Sequence, residues 1–237
     1  MVQKAAKRGR PRRGPDVERV QEVLDAAADA FLANGYDATS MQDIADAVGI
    51  MKGSLYYYVA SKEDFLFQII EPAYITALDA VAPLSEDPRA SLDRLTDFVH
   101  SHVLFVAANL RTFRIRLREF SQLSPLRQKQ LSRSEDEYYA VLMGIMRDGV
   151  DSGDIDPDID VRLSSVAIIG MLNSMTEWYS AGGKYSAQEL ACQLAGMVLT
   201  SLGSDAAVLA TGGPEALRRS PRKRLRSQPA TDAADNA

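Results

Sequence analysis

Within seven residues the chain gathers Lys52, Gly53, Ser54, Tyr56, Tyr57 and Tyr58, an ammonium, a hydroxyl and three phenols with no carboxylate among them. Successive helical residues point about 100° apart, so three consecutive tyrosines cannot all enter a core and at least one ring stands in solvent. Exposed phenols and a lysine suit phosphate oxygens and thymine methyls in a major groove; the alternative is a tyrosine-rich core edge with Lys52 merely solvated. A second cluster, Lys7-Arg8-Gly9-Arg10-Pro11-Arg12, contains an Arg-Gly-Arg-Pro core. A glycine between Arg8 and Arg10, stiffened by Pro11, lets the backbone lie in a narrow A·T minor groove whose negative potential attracts guanidinium. Against this stands a solvated arm that adds only non-specific phosphate attraction. Catalysis is poorly provided for: His100 and His102 are the only imidazoles and Cys192 the only thiol. That excludes a disulfide framework and a cysteine-rich zinc module, and no recognisable nucleophile or phosphate loop accompanies the histidines. No catalytic residue, metal or cofactor is expected.

The elements that must position Lys52 and the tyrosines are short. Residues 16–34 place Val17, Val20, Leu24, Ala27 and Phe31 on one helical face and stop at Asn34-Gly35, a helix end with a left-handed cap residue. Thr39 and Ser40 both have the chemistry of a cap, with Gln42 or Asp43 to close a box. Ile44, Ala45 and Val48 then form the stripe of a helix of barely two turns, Gly49 turns the chain at positive φ, and Ile50, Leu55 and Val59 face a second short helix. Helices this short are unstable alone, so they must pack on each other and on helix 16–34. That is a helix-turn-helix unit.

The segment resembles the DNA-binding domain of the TetR (tetracycline-repressor) family of transcriptional regulators. The resemblance rests on Asn34-Gly35-Tyr36, the run Thr39 to Ala45, the run Gly49 to Val59, and Ser61-Lys62-Glu63-Asp64. It implies that Ser40 and Gln42 set the first helix of the pair against the DNA backbone, that Lys52, Ser54, Tyr56 and Tyr57 face the DNA, and that Lys62 meets a phosphate. Arms like the one carrying Arg8 and Arg10 occur in such regulators.

Beyond residue 61 nearly every segment shows helical spacing and none sustained alternation. Ser61-x-x-Asp64, Asp87-Pro88, Ser124-Pro125, Asp156-Pro157 and Ser186-x-x-Glu189 mark helix starts. The fold class is all-α, with about nine helices. Helix 87–110 carries Leu92, Leu95, Val99, Val103 and Val106 on one stripe, with Phe98, Leu104 and Phe105 off it, so it is apolar on more than one side and suits the middle of a domain where a pocket can open. His102 falls close to the stripe, either as a satisfied core histidine or as a ligand contact. Arg111, Arg114 and Arg118 share one face of helix 111–121, available to an anionic ligand group or to salt bridges with the acidic body. Helices 158–181 and 186–203 carry small residues, Ala167, Gly170 and Ser174 on the first and Ala187, Ala191 and Ala195 on the second. Together with Leu194, Val198 and Leu202 these suit a four-helix bundle between two copies of the chain, or else complete the core of one. The stretch Gly170 to Gly183, with Asn173, Trp178 and Tyr179, resembles the corresponding helix of TetR regulators that sense fatty-acyl or steroid-catabolic acyl-CoA thioesters, with Ser180 where those often carry arginine.

Charge is unevenly laid along the 237 residues. Residues 1–15 hold six bases and no acid, 204–237 six bases and four acids, and 16–203 fifteen bases against 28 acids. An acidic body with two basic tails points to nucleic acid. No apolar run approaches the roughly 18 residues of a membrane span, which predicts a cytoplasmic protein without membrane partners. The expected organisation is a basic disordered arm (1–15), a helix-turn-helix domain (16–61), a ligand-binding and dimerisation domain (62–203) and a disordered basic tail (204–237). The expected function is a homodimeric repressor that leaves a palindromic double-stranded DNA operator on binding a hydrophobic effector. A fatty acid or acyl-CoA is the leading effector and a hydrophobic cation or aromatic compound the alternative; an interaction scaffold and an enzyme using His102 with Glu119 or Glu177 are the rivals from other classes. Ligand contacts are expected from Phe98, His102, Phe105, Arg114, Arg118, Asn173 and Trp178.

Overall fold

The computed structural model describes residues 17–210 and Gly213, so Arg8, Arg10 and the basic cluster at 218–226 lie outside the described residues. Among the described residues there are eleven α-helical segments, two short 3-10 turns and no β-strand. The chain divides between Ile69 and Ile70 into two compact units.

In the first unit, α1 (Val17–Asn34) buries Val23, Ala27, Ala28 and Phe31. The buried stripe is rotated from the expected one: Val17 is exposed and Leu24 half-buried, while Val23 and Ala28 point inward. Phe31 and Ala27 hold both versions of the stripe, and packing selects the neighbours on their other side. The helix ends at Gly35, whose φ of 82° lets its N–H reach the carbonyl of Phe31 at 2.9 Å. Helix α2 (Met41–Ala47) starts on a complete capping box, Ser40 Oγ accepting from the Asp43 N–H and Asp43 Oδ2 from the Ser40 N–H. Thr39 is instead buried, donating to the carbonyls of Ala30 and Gly35. Gly49 turns the chain at φ 67°. Helix α3 (Lys52–Leu55) is a single turn continued by a non-helical turn; it packs on α2, and Leu55 and Val59 are buried, as are Ile44, Ala45, Phe65 and Leu66.

Helix α4 (Lys62–Val81) begins in the first unit and ends in the second. With the turn after it, Lys62–Ser85 is long and apolar enough by length and composition to cross a bilayer, at mean hydropathy 1.3. The stretch also contains Glu71 and Pro72 and spends Phe65, Leu66, Ile70 and Val81 on protein contacts, which accounts for its apolar character.

The second unit is built around α5 (Ser91–Ala108), which buries Leu92, Leu95, Phe98, Val99, His102, Val103 and Val106. Burial on several sides follows from its place against α7 (Pro125–Ser152), α8 (Val161–Asn173) and α10 (Ala187–Leu202). It starts four residues after Asp87, because Asp87 caps the Arg89 N–H and pairs with its guanidinium instead of opening the helix. Likewise α8 is capped by Asp160, accepting from the Leu163 N–H at 2.9 Å, not by Asp156. The expected single helix 158–181 breaks at Ser174 into α8 and α9 (Met175–Trp178). Of the α10 residues expected at a subunit interface, Ala191, Leu194, Ala195, Val198 and Leu202 are buried in the core of this unit. Helix α6 (Leu110–Glu119) packs against α9. Residues 204 onward do not all lack structure: α11 (Asp205–Ala210) forms because Ser204 Oγ accepts from the Ala207 N–H and Val208 packs on Gly203.

Candidate functional site

Two sites emerge, one in each unit. In the first, the surface of α3 and the turn after it presents Lys52, Tyr56 and Tyr57, the two rings 53% and 52% exposed. Leu55 at 0% exposure pins the turn from beneath, so the phenols are held outward by a packed anchor. Tyr57 and Tyr58 meet edge to face with centroids 5.5 Å apart, which stiffens the pair. Ser54 is half-buried beside them. Ser40 is committed to its capping box, and Gln42 lies exposed on α2 with its amide donating to Asp46 at 2.7 Å. The N-terminus of α2 therefore carries a cap and a side-chain amide at the positions expected to face a DNA backbone. Lys62 sits differently. Its Nζ donates to the carbonyls of Tyr36 at 2.7 Å and Thr39 at 2.9 Å and lies 4.2 Å from the Tyr36 ring centroid. The ammonium ties the loop between α1 and α2, where a phosphate contact was expected.

In the second unit a small cavity of about 50 Å³ opens among α4, α5, α6, α7 and α8. Its apolar wall is Ala77, Phe105, Val106, Phe113 and Ile169, with the Phe105 and Phe113 rings edge to face at 5.9 Å. Polar groups occupy two places. At one, Arg116 donates to the hydroxyl of Tyr74 on α4 and pairs with Glu135 on α7, with Tyr139 beside them. Burial and the Glu135 charge both push the Tyr139 phenol upward. At the other, His102 Nδ1 lies 3.0 Å from the Tyr138 hydroxyl. Desolvation pushes His102 down to about 4, with the Asn173 amide acting in the opposite direction, and pushes the Tyr138 phenol up. A neutral imidazole and a protonated phenol therefore face the cavity at physiological pH.

Of the expected ligand contacts, His102, Phe105 and Asn173 line this cavity. Phe98 is fully buried behind Tyr138, ring centroids 5.0 Å apart. Arg114 Nε donates to the Thr176 carbonyl at 2.7 Å and its other nitrogen to the Tyr179 carbonyl at 3.1 Å, closing the C-terminal end of α9. Arg118 is exposed, and Trp178 is 53% exposed. None of these four is on the cavity wall. The arginine that is, Arg116, lies off the Arg111, Arg114, Arg118 face. Glu135 and Tyr138 were also missed, although Leu131, Glu135, Tyr138 and Leu142 repeat on one face of α7 and Leu131 and Leu142 are buried. A lone carboxylate within an apolar stripe was the available signal.

Residues 23–69 match the family described as bacterial regulatory proteins, tetR family, and residues 88–202 match the tetracyclin repressor-like C-terminal domain. The chain is 30% identical over 197 residues to the HTH-type transcriptional repressor KstR2 of Rhodococcus jostii, covering 78% of this chain and 92% of that protein. It is 23% identical over 168 residues to the fatty acid metabolism regulator protein of Bacillus subtilis, covering 70% and 87%. Among solved structures, the TetR family transcriptional regulator PfmR from Thermus thermophilus superposes with a TM-score of 0.69 at 31% identity, covering 75% of this chain and 96% of that one.

Proposed function

The chain belongs to the TetR family of bacterial transcriptional regulators, and from that premise we propose that it is a homodimeric, cytoplasmic repressor released from its operator by a fatty-acyl effector, a fatty acid or acyl-CoA. In this reading residues 16–61 bind DNA and 62–203 bind the effector and the second subunit. Lys52, Ser54, Tyr56 and Tyr57 enter a major groove, Ser40 and Gln42 approach the backbone, and Arg8 and Arg10 extend the footprint along the minor groove.

The observation that carries the proposal is the position of Arg116. It stands in the cavity wall with its guanidinium on Tyr74, and Tyr74 belongs to α4, the helix whose first residues close the helix-turn-helix unit. A ligand that displaces Glu135 or crowds Phe113 moves Arg116 and with it the hydrogen bond to α4. If the two recognition helices then no longer match major grooves roughly 34–36 Å apart, effector and DNA oppose each other by linkage. The apolar wall suits an acyl chain, and the similarity to a fatty acid metabolism regulator supports the same class. A hydrophobic cation is less well served, because Glu135, the carboxylate of the wall, is already engaged by Arg116.

Titration against a pool of short genomic duplexes by fluorescence anisotropy tests the proposal. The protein should select a palindrome as a dimer, and Lys52→Ala or Tyr57→Ala should weaken binding about tenfold or more without lowering the melting temperature. Acyl-CoA at roughly micromolar concentration, an ordinary metabolite affinity, should release the DNA, and Arg116→Ala should blunt release while leaving operator binding intact. Release and thermal stabilisation by hydrophobic cations, with none by a panel of fatty acids and acyl-CoAs, would overturn the effector assignment.

A further inference from the structure

The cavity contains two buried polar atoms that an aliphatic chain would leave unsatisfied. His102 is 5% exposed, and its Nε2 has no hydrogen-bond partner; neither has Asn173 Oδ1, and both residues line the cavity. The Asn173 amide is a hydrogen-bonding neighbour of the imidazole and opposes its downward shift, but Nε2 and Oδ1 do not reach good hydrogen-bond geometry with each other. Either tautomer of His102 fits the contact with Tyr138, and the two atoms take their roles from the one in which the phenol donates. The phenol and His102 Nδ1 are 3.0 Å apart, and the arrangement that uses the phenolic proton has Tyr138 donating to Nδ1. The neutral imidazole then carries its hydrogen on Nε2. The gap is therefore flanked by a donor, His102 Nε2–H, and an acceptor, Asn173 Oδ1.

We propose that this pair reads a hydroxyl group on the effector's chain, so that the preferred ligand is a hydroxylated acyl compound and not a plain saturated one. The inference rests on the acyl reading of the cavity above and adds a demand that reading does not make. A hydroxyl accepts from His102 Nε2–H and donates to Asn173 Oδ1, satisfying both atoms at once. A keto oxygen accepts from Nε2–H but leaves Asn173 Oδ1 without a donor, and a methylene leaves both unpaired, which is the costlier outcome for buried polar atoms. Asn173 is half-buried at the last residue of α8, and rotation of its side chain admits the hydroxyl between the two residues. Sites built to hydrogen-bond a ligand hydroxyl discriminate strongly against the analogue lacking it.

The test uses the full-length protein and three sets of acyl-CoA of one chain length: saturated, monohydroxylated at each position along the chain, and the matching oxo compounds. Affinity is read by calorimetry and by DNA release. One hydroxy positional isomer should bind about tenfold or more tightly than both the saturated and the oxo compound, the worth of about one well-made buried hydrogen bond. Asn173→Leu and His102→Phe should each bring the hydroxy-to-saturated ratio close to one while the saturated compound binds no more weakly than before. His102→Gln, which keeps a donor and disturbs packing less, guards against a folding defect and should retain part of the preference. Equal affinity for all saturated and hydroxylated chains, as expected if a retained water bridges the pair, would overturn the inference and leave the acyl assignment standing. So would a preference that survives both substitutions, or an oxo compound that binds as well as the hydroxy one. If no acyl-CoA of any set binds, the acyl assignment itself fails and the hydroxyl inference falls with it.

Discussion

His102 stays neutral at physiological pH because it is enclosed by Phe105, Val106 and Tyr138, where no carboxylate is bonded to it and desolvation penalises the cation. Arg116 and Glu135, the charged groups of the same cavity, neutralise each other. With a folded-state pKa of about 4 against 6.5 for the ordinary imidazole, the unfolded chain binds the proton first as pH falls. Stability is therefore full above about pH 6.5 and declines toward pH 4, by on the order of 3 kcal/mol in all. Urea midpoints measured at pH 7, 6 and 5 should fall in that order, and His102→Gln should flatten the trend. Asp87, held near 2 by Arg89, and Asp43, lowered by Ser40, lose their contributions only below the ordinary carboxylate range, outside this window. Lys62 makes the complementary point. Its charge serves carbonyl oxygens and a ring face inside the unit, so a lysine at a helix start does not by itself identify a phosphate contact.

The junction after α7 shows how one missing side chain joins three helices. A Cβ on Gly149 would lie 2.6 Å from Ile155 Cδ1 and 2.9 Å from Ser91 Oγ, so the glycine permits Ile155 to bury fully against α5 and α7. Ile155 in turn accepts no exposure, and its N–H donates to the Gly149 carbonyl at 2.9 Å. The neighbouring Asp156 N–H binds the Leu202 carbonyl and the Ser204 N–H the Asp154 carbonyl, stitching the ends of α7 and α10 together. Gly149→Ala should destabilise the protein by about 1–3 kcal/mol through overpacking. Ile155→Val in the same chain should recover part of that loss, although Ile155→Val alone costs about 1 kcal/mol. Denaturant unfolding of the four proteins checks the cycle; additive losses would show that the clash is relieved elsewhere.

At the scale of the molecule, α8 leaves Leu163, Val166, Ala167 and Gly170 exposed along one face, and Met197 on α10 is 50% exposed. A Cβ at Gly170 would meet nothing within 4 Å, so that face has room for a second helix at close range. The proposed function needs two copies of the chain, because one helix-turn-helix unit reads only half a palindrome, and association through this face would bring them together. Leu163→Glu combined with Val166→Glu should leave helical content and melting cooperativity intact, convert the protein to a monomer in sedimentation, and weaken operator binding about tenfold or more. A dimer that persists with unchanged affinity would move the interface elsewhere.

The recognition unit was legible from local chemistry. Ser40-x-x-Asp43, Gly35, Gly49 and the Leu55 and Val59 anchors act over a few residues, and a capping box or a positive φ needs no distant partner. The all-α class and the central α5 followed from periodicity for the same reason. What the sequence alone left undecided were choices made between elements. Asp87 and Asp156 have the chemistry of helix caps, but Arg89 and the joint with α10 claim them. Val17 and Leu24 fit the α1 stripe as well as Val23 and Ala28 do until packing selects a face. Arg114 and Arg116 are two residues apart on one helix. Only the arrival of α9 beneath one, and of Tyr74 and Glu135 beside the other, makes the first a helix-end clamp and the second a wall of the cavity. His102 and Asn173, 71 positions apart in the chain, become a pair only because α8 packs on α5. Such a meeting is fixed by packing between elements, which residue spacing within either helix does not encode.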